Sequence, residues 1–149
     1  NTGGAEPLEV QRIAIVLTDQ EDGRSFLLIK KKNKKLWQFP SKPYKGDWIT
    51  GGVLTLARNL AKEKLGISLT TSQGWRKIVQ NKQYNWKDST EITETVLYAI
   101  MPVNKSIHLA DMKQYWSTLQ HYVQYKWQSC TTLSSLESPA VDSYCSCTT

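Results

Sequence analysis

The stretch that most constrains this chain is residues 37–67, a strand end, a Pro- and Gly-rich loop and one amphipathic helix. Trp37, Phe39 and Pro40 close the first part, and residues 42–52 hold Pro43 and three glycines, which marks them as loop. From Val53 the pattern changes. Val53, Leu54, Ala57, Leu60, Ala61 and Leu65 recur at helical spacing, with Asn59, Lys62 and Glu63 on the other side. Gly66 falls where a left-handed residue ends a helix.

The residues before it read as a hairpin. Residues 10–18 (VQRIAIVLT) are a β-branched apolar run, a buried strand. A turn at Asp22-Gly23 leads to a returning strand over residues 25–30. After the helix, residues 75–80 and 91–101 read as a second hairpin across a polar turn at 81–90, which carries Tyr84 and Trp86. Pro102 ends it. Residues 111–127 carry Met112, Tyr115, Trp116, Leu119, Tyr122 and Val123 at helical spacing behind Asp111, so a second large helix is expected there.

This organisation resembles the Nudix family at the place of its signature. Phe39-Pro40 and Gly66-Ile67 match the two ends of the family pattern. Between them the resemblance implies a run of glutamates on the helix. Counting back from Gly66, the Glu-Glu pair becomes Glu63-Lys64, the earlier glutamate becomes Leu60 and the arginine becomes Asn59. Leu36-Trp37-Gln38-Phe39-Pro40 is also similar to the C-terminal domain of adenine DNA glycosylases. The lost glutamates and basic charge resemble a Nudix-like protein of the mitochondrial large ribosomal subunit. The implied fold is an α/β/α sandwich, a mixed, largely antiparallel small sheet between two main helices. The implied domain covers residues 10–127; composition alone marks a flexible arm at 1–9 and a Ser/Thr/Cys-rich, weakly structured tail at 128–149.

The chemistry follows from the carboxylates. Three of them at i, i+3 and i+4 share one helix face and can hold Mg²⁺ against a diphosphate. This helix offers Glu63 alone. The expectation is a non-catalytic module without a cofactor. A divergent hydrolase of nucleoside diphosphate compounds is the alternative; it would need Mg²⁺ and would join Glu63 to Glu91 or Glu94. His108 and His121 are read as structural or surface residues.

Net charge points to the partner. The 149 residues carry 19 Lys and Arg against 13 Asp and Glu, a net charge of +6. Such a surface favours polyanions. Lys30, Lys31, Lys32, Lys34 and Lys35 crowd beside Trp37, with Lys42 and Lys45 following. They read as a phosphate-contacting patch on nucleic acid or a ribonucleoprotein, with a tryptophan for base stacking. The competing reading is a solvated loop that keeps a strand end soluble. A protein-interaction scaffold using the aromatic residues and the tail is a third possibility. No apolar run reaches the roughly 20 residues of a membrane span. The odd count of Cys130, Cys145 and Cys147 argues against a disulfide framework and for an intracellular, reducing compartment.

Overall fold

The computed structural model describes residues 10–32, 34–44, 52–69, 74–86, 90–104, 123–132 and 139–148. At its centre is β1 (Arg12–Asp19, RIAIVLTD), buried from Ile13 onward. Ile13 to Leu17 are apolar without a break, so this run has no wet face and needs cover on both sides. Alternation divides its residues between two cores.

On one side, β1 runs parallel to β5 (Thr90–Val103), from Arg12 opposite Val96 to Asp19 opposite Val103. On the other, it meets β2 (Phe26–Lys31) at Thr18 opposite Phe26, and then the two strands part. The gap is filled by the segment carrying the Phe-Pro pair. Gln38 exchanges two backbone hydrogen bonds of 2.9 Å with Ile29, and the Ile15 N–H donates to the Pro40 carbonyl at 2.9 Å. β3 (Ser41–Pro43) then pairs with Arg12 to Ala14. β4 (Arg76–Trp86) lies antiparallel outside β5, and β6 (Val123–Gln128) antiparallel outside β2. The order is β4-β5-β1-β2-β6, with β3 beside β1.

Helix α1 (Gly52–Leu65) covers the face made by Ile13, Ile15, Leu17, Leu27, Ile29, Leu97, Ala99 and Met101. Val53, Ala57, Leu60, Ala61 and Leu65 form its buried stripe. Lys62 and Lys64 in its last turn suit the negative end of the helix dipole. Gly66 ends it at φ +70°, its N–H donating to the Lys62 carbonyl at 3.0 Å. A side chain at that φ would be strained, which is why glycine stands there.

The opposite face holds Ala14, Val16, Phe26, Leu28, Val96, Tyr98 and Ile100. Its helix is α2 (Pro139–Thr148), which brings Val141, Tyr144 and Cys145 into that core. The described parts of the tail are therefore ordered, and the folded unit extends past residue 127. Proline opens this helix where its missing N–H costs nothing. The Ser143 hydroxyl donates to the buried Gln80 side-chain oxygen at 2.9 Å. A disulfide joins Cys145 to Cys130, at the start of the 3-10 turn Cys130–Thr132, with the Cα atoms 5.5 Å apart. This corrects the reading of the cysteines and removes their argument for a reducing compartment.

Two further expectations change. Residues 123–128 are strand, not the end of a helix: VQYKWQ alternates, and Tyr125 and Trp127 pack on the α1-side core. The remainder of the expected helix, residues 111–122, lies outside the described residues, as do His108, His121 and the arm at 1–9. The polar turn at 81–90 is also shorter, because β4 continues to Trp86 and β5 starts at Thr90. The architecture itself stands: a mixed, largely antiparallel sheet with a helix on each face.

Candidate nucleic-acid interface

The lysine run is not one loop. Lys30 and Lys31 belong to β2, and only Lys32, Lys34 and Lys35 follow it. Alternation sends Lys30 to the α2 side with Leu28 and Lys31 to the α1 side with Ile29. A turn follows in which the Lys34 N–H donates to the Lys31 carbonyl at 3.0 Å.

On the α2 side the partner of Lys30 is Trp37. Its Nζ lies 5.4 Å from the indole centroid, and Lys126 Nζ lies 4.7 Å from the same ring. Lys126 is opposite Leu28 in the β2–β6 register, so the sheet itself delivers it. An ammonium over an indole is attracted to the ring's negative face. The half-buried Trp37 thus anchors two cations from separate strands.

On the α1 side, Lys31 meets like charge. Its ammonium is held below the ordinary lysine value of 10.5, first by burial, then by Lys64, Lys34 and Arg12. Lys64 comes from the last turn of α1, whereas Arg12, at the start of β1, shares the α2 face with Ala14 and reaches Lys31 only through its charge. One end of the sheet therefore gathers positive charge from β1, β2, β6 and α1. Lys64 and Lys126 were missed in the sequence because each is remote from the lysine run. Their signal was positional: a basic last helix turn, and the one cation in an alternating strand. Lys42, on β3, reaches Glu63 with Nζ to Oε2 at 3.4 Å. Lys45 lies outside the described residues.

The acidic candidates are divided by the same alternation. Glu94 shares its side of β5 with Val96 and Tyr98, on the α2 face, and accepts from Arg12 Nε at 2.8 Å. Arg12 Nη1 also donates to the Ser41 hydroxyl at 3.2 Å. Glu63 stands on α1, across the sheet. The structure does not bring Glu63 and Glu94 together. Glu91 pairs through its backbone with Asn85 on β4, and its side chain is outside the described set. Leu60 is wholly buried on the sheet-facing side of the helix, so that position is core. Among the described residues, no group of three or more His, Cys, Asp or Glu side chains gathers as a metal site would, and no helix is long and apolar enough to cross a membrane.

No protein-family model matches the chain, and no curated protein matches it. Among solved structures it is similar to the NUDIX domain of Shewanella oneidensis NrtR complexed with ADP ribose, at 14% identity. That match covers 85% of this chain and 76% of the other, with a TM-score of 0.44.

Proposed function

We propose that the protein is a non-catalytic, Nudix-like module that binds the phosphate backbone of nucleic acid, alone or within a ribonucleoprotein. The observation that carries this reading is the crowding at Lys31. Burial first, and then the like charges of Lys64, Lys34 and Arg12, hold the Lys31 pKa down, with Arg12 itself already paired with Glu94 at 2.8 Å. Polyanion binding relieves such repulsion and releases counterions from the nucleic acid. Trp37, with Lys30 and Lys126 over its ring, adds an aromatic surface next to the charge. An unstacked base can use such a surface.

The test is the salt dependence of binding to single-stranded RNA and DNA. Each phosphate contact contributes a slope of roughly −0.7 in log affinity against log salt for single strands. Replacing Lys30, Lys31, Lys34 and Lys126 with glutamine should flatten the slope by about two to three. An unchanged slope and affinity would reduce the cluster to a solubilising surface.

A further inference from the structure

The far end of the same sheet holds a cavity of about 450 Å³. It opens where β1 ends, β2 begins and β4 begins, and its lining includes Asp19, Arg24, Phe26, Arg76, Thr131 and Tyr144. Seven residue steps of β1 separate it from Arg12, roughly 20 Å. It is therefore distinct from the lysine cluster, and nothing in the nucleic-acid reading uses it. Its volume lies within the roughly 300–1,000 Å³ common for small-molecule sites.

Three observations define what it would take. First, Arg24 and Arg76 both line it, both are exposed, and among the described residues neither guanidinium has an acidic partner. Two guanidinium forks match the charge and oxygens of a phosphate dianion better than a single carboxylate. Second, Asp19 lines the same cavity, is buried, and uses Oδ1 to accept from the Glu21 N–H at 3.1 Å. An ionised carboxylate only accepts hydrogen bonds, so in this cavity Asp19 calls for a ligand that brings hydroxyl donors. Third, Phe26 and Tyr144 give the cavity an apolar wall.

The backbone that carries the walls is fixed before any ligand arrives. Asp22 accepts from the Arg24 N–H at 2.7 Å, the Ser25 N–H at 2.9 Å and the Ser25 hydroxyl at 2.6 Å, which sets the turn carrying Arg24. Arg76 is held by its place opposite Ile100 in the sheet. The turn that begins at Cys130 is tied to α2 by the disulfide. Preformed walls reduce the ordering cost of binding.

We propose that this cavity is a binding site for a phosphorylated sugar of up to mononucleotide size. Its phosphate lies between Arg24 and Arg76, and a sugar hydroxyl donates to Asp19.

The experiment titrates the full chain with ribose 5-phosphate, AMP and unphosphorylated adenosine, by calorimetry and by backbone amide NMR. The expected result is saturable binding of at least one phosphate ester, with the Gly23 and Gly74 amides shifting, and adenosine weaker by about tenfold or more. Arg24→Gln/Arg76→Gln should weaken the phosphate ester by at least about tenfold. The charge-matched, exposed Lys62→Gln/Lys77→Gln should bind as the parent does. Both arginines lie at the surface, so the double variant leaves the core intact, and its amide spectrum checks the fold. Failure of both phosphate esters to saturate overturns the proposal. So does an affinity unchanged in Arg24→Gln/Arg76→Gln, or an equal loss in the lysine control.

Discussion

The ring of Tyr144 stands 5.2 Å from the ring of Phe39, edge to face at 77°. Phe26 and Tyr98 complete the group, 5.8 and 5.4 Å from Tyr144. A residue of the Ser/Thr/Cys-rich tail is thus seated on the Phe-Pro motif. Tyr144→Ala should cost about 3–5 kcal/mol, the range for deleting a large buried aromatic. A chain stopped after Trp127 should aggregate or unfold, because Phe26, Phe39 and Tyr98 lose their cover. Urea unfolding of both variants decides the matter. A truncated chain that melts like the full one would show that α2 adds nothing to the core.

The Cys130–Cys145 bond closes a loop with a sequence separation of 15. Cross-links of that span stabilise by about 3 kcal/mol, chiefly by restricting the unfolded chain. Reduction, or Cys130→Ala/Cys145→Ala, should lower Tm by roughly 6–12 °C for a domain of this size. Scans with and without reductant, in a Cys147→Ser background that blocks thiol exchange, measure it. A Tm that ignores reductant would remove the cross-link from the account of stability.

Much of the fold was legible because α1 and the first hairpin carry their periods openly. The stripe Val53, Ala57, Leu60, Ala61, Leu65 and the stop at Gly66 mark a helix, and the structure has one there. Two elements were misread for physical reasons. Helical spacing among the aromatic residues from Met112 to Val123 masked the strict alternation of Val123, Tyr125 and Trp127, which is β6. In α2 the apolar signal is only Val141, Tyr144 and Cys145, one short i, i+3, i+4 set among hydroxyl residues. The interface was half legible. The lysines are dense in sequence, yet strand alternation splits Lys30 from Lys31, β6 supplies Lys126 and the last turn of α1 supplies Lys64.

Lys31 sets a pH dependence. Below its lowered pKa the charged ammonium weighs against folding, and that penalty fades as pH climbs toward the ordinary value of 10.5. A bound phosphate acts in the opposite direction and raises the pKa. Binding should therefore take up a proton on the alkaline side, and RNA affinity should fall as pH rises through the lowered pKa. Calorimetry in two buffers of different ionisation enthalpy reads the proton uptake. Lys31→Gln should abolish its Lys31 share; an unaltered uptake would separate Lys31 from the interface.

The pair Lys42–Glu63 separates binding from catalysis. Glu63 is 55% exposed in its side chain, so the ion pair contributes at most about 1 kcal/mol. Glu63→Gln should leave Tm within a few degrees. It should strengthen RNA binding by up to about fivefold, because it releases Lys42 to the phosphates. A hydrolase built on Glu63 behaves in the reverse way, with Mg²⁺-dependent turnover of dinucleotides or nucleotide sugars that vanishes in Glu63→Gln. Such turnover in the parent protein would sink the non-catalytic reading.

The parallel pairing of β1 with β5 also bears on how the chain is made. Arg12 meets Val96, 84 positions later, and that edge of RIAIVLTD has no strand to pair with until then. A ribosome adding about 5–20 residues per second takes roughly 4 to 17 seconds to cover the interval. Throughout that time a short, strongly apolar β-segment is outside the tunnel with one side open. Newly made chains are therefore at their most vulnerable early, and folding yield should track chaperone supply and translation speed more closely than it tracks the stability of the finished protein.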